Sequence, residues 1–221
     1  KVLLSEAATD PWAHAAYQSE IRSAASLTHP NAVMVLDHGT INENSANKYA
    51  IEHFGRGNPF LVMEFIRGQT WLSLCGVLSW DESEPLIRQL LDVLAHAHAR
   101  KVLHRDIKPE NILIEYGNDD KMTAVLMDFG LTQALSELEK DSDNIAGTPT
   151  YMAPEQLLGE WRDQGPWTDL YSLGCTIWRL FCSHAPYGSN LSFIDAVQKH
   201  TTDSLSTFPN MTPVPQDLES W

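Results

Sequence analysis

A chain of 221 residues with 43% hydrophobic content can bury a sizeable core, as one large domain or two small ones. Its formal net charge of -14 works against nucleic acid and anionic lipid, which demand clustered Lys and Arg. The three cysteines, Cys75, Cys175 and Cys182, are odd in number and too scattered for a zinc knuckle or a disulfide framework, so they read as reduced thiols. No apolar run reaches the roughly 18 residues of a membrane helix, and the N-terminus lacks a basic-then-apolar signal. The expectation is a cytoplasmic domain with neither nucleic-acid nor membrane contacts.

From Ala13 to Leu27 there is no Pro or Gly, and Tyr17, Ile21, Ala24 and Leu27 recur at helical spacing, which predicts an amphipathic helix stopped by His29-Pro30. Two apolar runs, Ala32 to Gly39 and Phe60 to Phe65, predict a pair of strands. Arg67-Gly68-Gln69 reads as a break. A long helix follows from about Glu82 to Arg100, with Leu86, Leu90, Val93, Leu94 and Ala97 on its apolar side. Residues 112–114 and 124–127 are β-type runs around a hairpin-like connection, Tyr116-Gly117-Asn118-Asp119. Residues 169–182 form the last strongly helical segment, and no internal repeat occurs.

Three motifs carry the chemistry: His104-Arg105-Asp106-Ile107-Lys108-Pro109-Glu110-Asn111, then Met127-Asp128-Phe129-Gly130, then Gly147-Thr148-Pro149-Thr150-Tyr151-Met152-Ala153-Pro154-Glu155. One Asp-Phe-Gly alone means little, whereas three such motifs in this order constrain strongly. Together they resemble the signature of the eukaryotic-type protein serine/threonine kinases. The Ala-Pro-Glu-Gln run and compact activation segment are most similar to bacterial members. The resemblance implies an α+β, bilobal fold: a small sheet-plus-helix N-lobe over residues 1–64, and a hinge with a mainly helical C-lobe over 65–221.

It also implies transfer of the ATP γ-phosphoryl group to Ser or Thr hydroxyls of proteins. Such transfer needs a triphosphate neutralised and a weakly acidic hydroxyl aimed in line at phosphorus. By resemblance, Asp106 accepts the hydroxyl proton, Lys108 sets positive charge beside the moving phosphoryl group, and Thr148 bonds both and shapes the acceptor wall. Asn111 and Asp128 hold magnesium or manganese, for which oxygen ligands are suited. The run Lys108-Pro109-Glu110-Asn111 resembles serine/threonine rather than tyrosine kinases. Lys1-Val2-Leu3 resembles the end of a Val-Ala-Ile-Lys strand, making Lys1 the lysine on the α- and β-phosphates and Glu20 its helix partner. Met63 falls at the gatekeeper position, Glu64, Phe65 and Ile66 at the adenine hinge, where side-chain identity is expected to matter little, and Leu113 joins the ATP-binding set.

Ala24, Val35, His104 and Phe129 match the apolar spine linking the lobes, with Ala24 small for its place. Asp169 resembles the buried carboxylate that supports the catalytic loop, and His98 the structural histidine near it. His96 and His98, two apart, share no helix face and make a poor metal pair. Trp161, Trp167, Trp178 and Trp221 read as packing residues.

The sequence departs from the pattern in lacking Gly-x-Gly-x-x-Gly. The expectation is a domain cut at both ends, whose fragment transfers phosphate poorly and whose Glu155 finds its arginine beyond Trp221. Asn144 stands where many relatives carry a phosphorylated Thr. Ser142, then Ser136, are the nearest candidate phosphosites, with Asp141 and Asp143 supplying negative charge and Arg105 placed to meet it. Implied partners are ATP, protein substrates with basic residues facing Glu110, and a second copy for autophosphorylation. Two alternatives remain open: a pseudokinase, which needs a broken Asp106, Asn111, Asp128 or Lys1 although none is broken, and a small-molecule kinase of the same fold, which generally lacks the Thr148–Glu155 platform.

Overall fold

The computed structural model describes residues 21, 25–41, 58–117, 119, 121–129, 149–188, 191–204 and 214–215. In chain order they form strands β1 (Val35–Thr40), β2 (Pro59–Met63) and β3 (Gly68–Thr70), helix α1 (Trp80–His98), strands β4 (Ile112–Tyr116) and β5 (Met122–Leu126), and helices α2 (Pro154–Leu157), α3 (Pro166–Cys182) and α4 (Phe193–Thr202). Short 3-10 turns lie between them at Trp71–Leu74, Pro109–Asn111, Pro149–Tyr151 and Trp161–Asp163. The sheets are small and antiparallel, β1-β2 in one and β3-β4-β5 in the other, which with the helical remainder gives the expected α+β architecture.

The predicted strand pair forms, but with a shorter first member. Val35 pairs with Met63 and Thr40 with Pro59, with a register shift between Val35 and Asp37. Ala32 and Val33, expected in the same strand, join β5 instead, together with Asn31. Val33 N–H donates to the Leu126 carbonyl at 3.0 Å, and Leu126 N–H to the Asn31 carbonyl at 2.8 Å. Asn31 adds side-chain bonds to the Ala124 carbonyl at 2.8 Å and to Gln89 Oε1 at 2.9 Å. The chain leaving His29-Pro30 is thus stitched to the three-stranded sheet and to α1 before it turns into β1.

Gly68, read as part of a break, opens β3 and faces Glu115 of β4. A Cβ on Gly68 would stand 2.2 Å from the Ile114 carbonyl oxygen, so the glycine permits close backbone approach. The break is a strand whose shortness hid it.

Helix α1 starts two residues before the predicted position, because Ser79 caps it. The Ser79 hydroxyl oxygen accepts the Glu82 N–H, and the Glu82 carboxylate accepts the Ser79 N–H at 2.9 Å. At its far end Lys101 adopts φ 62°, which lets Val102 N–H close onto the Ala97 carbonyl at 3.0 Å. The predicted apolar face is the buried one: Leu86, Leu90, Val93, Leu94 and Ala97 pack with Trp71, Ile112 and Ile114 of β4, Leu126 of β5 and Leu173 and Phe181 of α3. Each fully buried aliphatic side chain contributes about 1.5–3 kcal/mol. Strand periodicity selects Ile112 and Ile114 for this core and turns Leu113 to the opposite face.

Two expectations need correction. α3 is not the last helix, for α4 follows it, capped by Ser192, whose hydroxyl oxygen accepts the Asp195 N–H at 3.1 Å. Its buried positions are Ala196 and His200, and a buried histidine breaks the apolar periodicity that would reveal the helix. Trp178 is buried as expected, but Trp161 is exposed, and so is Trp167. Its ring lies against the Gly165 backbone, where a Cβ would come within 2.4 Å of it, and its indole N–H donates to the Asp163 carbonyl at 3.0 Å. Among the described residues no helix is long and apolar enough to cross a membrane.

Candidate active site

The segment from Val102 to Lys108 leaves α1 without regular structure, so its shape depends on what its backbone meets. Asp169, in the first turn of α3, supplies most of this. Its fully buried carboxylate accepts the His104 N–H at 2.9 Å, the Arg105 N–H at 2.8 Å and His98 Nε2–H at 2.7 Å. Burial alone would push this carboxyl up. The His98 hydrogen bond, the His104 imidazole and the two backbone N–H groups outweigh burial and hold it below the usual carboxylate range. Arg105 sits at φ 65°, a left-handed conformation that a non-Gly residue keeps only where its surroundings enforce it.

Asp106, Lys108 and Asn111 come together on this loop. Lys108 Nζ lies 3.0 Å from Asp106 Oδ1 and 2.9 Å from Oδ2. Asn111 Nδ2 donates to Asp106 Oδ2 and to the Asp106 carbonyl, both at 2.8 Å. Asp106 and Lys108 are each about one-fifth exposed, so the pair is reachable from solvent yet set in its rotamers by neighbours. With both amide hydrogens of Asn111 committed to Asp106, its Oδ1 accepts nothing among the described residues.

Asp128 is brought beside Asn111 by the backbone, since Met127 N–H donates to the Asn111 carbonyl at 2.9 Å. His104 ties the two segments: its Nδ1 accepts the Asp106 N–H at 3.2 Å, so its Nε2–H is the donor to the Met127 carbonyl at 2.7 Å. Its ring also meets Phe129, centroids 4.8 Å apart, and Val35 packs against the core to which Phe129 belongs. Asp128 has φ 62°, a second left-handed non-Gly residue in the site. Among the described residues no group of three or more His, Cys, Asp or Glu could hold a metal. The Asn111 amide oxygen and the Asp128 carboxylate are nevertheless donors of the kind a hard cation takes.

At the strand end of the site, Met63 closes β2 opposite Val35. Glu64 N–H donates to the Met34 carbonyl at 3.0 Å, and the Glu64 carboxylate accepts Met34 N–H at 2.7 Å. The Glu64 carboxylate thus fastens the residue that follows β2 to the residue that precedes β1. Phe65 is 86% exposed, and the Glu64 carbonyl and Ile66 N–H have no partner among the described residues. Leu113, half-buried and opposite Val125, sits on the sheet face turned from the main core.

Lys1, Glu20, Ala24, Thr148 and the candidate phosphosites Ser136 and Ser142 lie outside the described residues, as do Asn144 and Trp221. Glu155, expected to need a distant arginine, is met by the Thr168 hydroxyl, which donates to it at 2.5 Å. His96 lies tilted against His29, ring centroids 5.0 Å apart, away from the Asp169 that His98 binds. Two polar residues in this framework were not singled out from sequence. Gln89 bridges Asn31 and the Ala124 N–H, and Gln156 donates to the Arg105 carbonyl. An amide in a helix looks solvated in a sequence, and nothing but the fold reveals its partner.

Residues 1–220 match the family model described as Protein kinase domain. The chain belongs to the protein kinase family. The kinase domain is 31% identical to the probable serine/threonine-protein kinase PknB of Lactococcus lactis subsp. lactis, a match covering 100% of this chain and 32% of that protein. It is 29% identical to the serine/threonine-protein kinase PrkC of Bacillus subtilis, over 100% of this chain and 32% of that protein. Against the crystal structure of the Mycobacterium tuberculosis PknI kinase domain the TM-score is 0.62 at 27% identity, covering 87% of this chain and 66% of that one. The chain thus spans about a third of the length of these curated relatives, and they are bacterial, in keeping with the Ala-Pro-Glu-Gln resemblance.

Proposed function

We propose that the protein carrying this chain is a serine/threonine kinase that moves the γ-phosphoryl group of ATP onto Ser or Thr hydroxyls of proteins. The observation that carries this reading is the Asp106 carboxylate held between Lys108 Nζ and Asn111 Nδ2 on a loop whose backbone is tied to Asp169. Asp106 receives the proton as the substrate oxygen bonds to phosphorus and the bond from phosphorus to the β-phosphate oxygen breaks, releasing ADP. Lys108 offsets negative charge on the moving phosphoryl group. Asn111, through its Oδ1, and Asp128 would hold magnesium or manganese, which would supply positive charge to neutralise the phosphates. Glu64 to Ile66 offer adenine a backbone carbonyl and N–H, with Met63 and Leu113 beside it.

Thr148, Lys1 and Glu20 complete the assignment as acceptor wall, phosphate lysine and lysine partner. The exposed Glu110 gives substrates with basic residues an acidic contact. Autophosphorylation between two copies belongs to the same reading.

The test is the initial rate of γ-phosphoryl transfer by the full-length protein. Asp106→Asn keeps the shape of the loop but cannot take the proton, and its rate should fall by at least about two orders of magnitude. An unchanged rate would falsify the mechanism and favour the pseudokinase alternative.

A further inference from the structure

We propose that Gln156 is a positioning residue for this transfer, fixing the peptide plane that immediately precedes Asp106; the proposal rests on the kinase reading above. That plane is held at both edges. Its carbonyl, from Arg105, accepts Gln156 Nε2–H at 2.9 Å. Its N–H, from Asp106, donates to His104 Nδ1 at 3.2 Å. Just upstream, the Arg105 N–H is bound to Asp169 Oδ1 at 2.8 Å and the residue is kept at φ 65°. With the left-handed residue fixed on one side and the plane fixed on the other, the direction in which Asp106 leaves the backbone is determined.

The amide of Gln156 is itself oriented. Its Oε1 accepts the Ala153 N–H, the cap of α2, at 3.1 Å, so Nε2 is the end left to face Arg105. One side chain thereby joins the helix that closes the Gly147–Glu155 motif to the loop that carries Asp106. Release of the Arg105 carbonyl would let the plane rotate, and misplacement of a reacting group by even about 1 Å is costly in rate. Asp169 holds the loop from the α3 side, while Gln156 holds it from the substrate side.

The two ends of the amide have separable jobs, and two substitutions in the full-length protein separate them. Gln156→Glu retains an acceptor for Ala153 but has no N–H for Arg105. Gln156→Lys retains a donor but no acceptor. Gln156→Glu should keep its Tm within about 2 °C of wild type while kcat drops about tenfold with KM for ATP unchanged, the rate equivalent of one lost hydrogen bond. Gln156→Lys should melt earlier yet keep the higher kcat of the two. A kcat for Gln156→Glu equal to or above that of Gln156→Lys overturns the proposal at any melting temperature, because helix capping alone produces that order. Wild type and Asp106→Asn are run alongside. A wild type no faster than Asp106→Asn overturns the kinase reading and this proposal with it, whereas a fast wild type with the reversed order overturns only the role of Gln156.

Discussion

A carboxylate with no exposed surface stays ionised only where donors surround it, and Asp169 has three, from His98 and from the backbones of His104 and Arg105. Truncation removes the acceptor from all of them at once. Asp169→Ala should therefore cost about 3–5 kcal/mol of stability in chemical denaturation, and a loss below about 1 kcal/mol would show the loop to be held by other means. His200 presents the opposite case. It is buried on α4 with Tyr171 Oη at 2.8 Å from Nδ1 and, among the described residues, no partner on Nε2, and burial lowers its pKa to about 4. The unfolded chain binds this proton near pH 6.5 while the folded chain refuses it until about pH 4, so its contribution to stability is full above about pH 6.5 and is lost as pH falls toward 4. His200→Gln should flatten the denaturation midpoint against pH across that window. An unaltered slope would place the acid sensitivity elsewhere.

Among the elements, legibility followed periodicity. Helix α1 was readable because its five apolar positions repeat on one face, and only its start needed the Ser79 cap to correct it. The hairpin β4-β5 was readable from the turn residues between two apolar runs. β3 was not: with Gly68 at its head and three residues in all, its evidence is a partner strand rather than a pattern. Helix α4 escaped because one of its two buried positions is a histidine. Ala32 and Val33 looked like the beginning of β1 because apolar content says nothing of which neighbour satisfies the backbone. Gly68→Ala tests the strand: its Cβ has backbone, not a movable side chain, 2.2 Å away. The substitution should cost about 1–3 kcal/mol, seen as a lower denaturant midpoint, and a neutral result would mean that β3 shifts away from β4 freely.

For the molecule as a whole, the candidate site lies where pieces distant in sequence are hydrogen-bonded to one another. Asn31 and Gln89 join the N-terminal segment to β5, His104 joins the catalytic loop to Met127, and Asp169 and Gln156 secure the same loop from two helices. Of the motif residues quoted from the sequence, Asp106, Lys108 and Asn111 are brought together on one loop. The supports Gln89 and Gln156 were not legible in the sequence, since an amide fits almost any polar role until its partners are seen.

The most direct measurement is the identity of the labelled amino acid after the full-length protein is incubated with γ-labelled ATP, magnesium and a basic protein, with Asp106→Asn as the blank. The account predicts phosphoserine or phosphothreonine in the wild-type reaction and almost none in the blank. Label confined to a small molecule, or equal phosphoamino acid in both reactions, would contradict it.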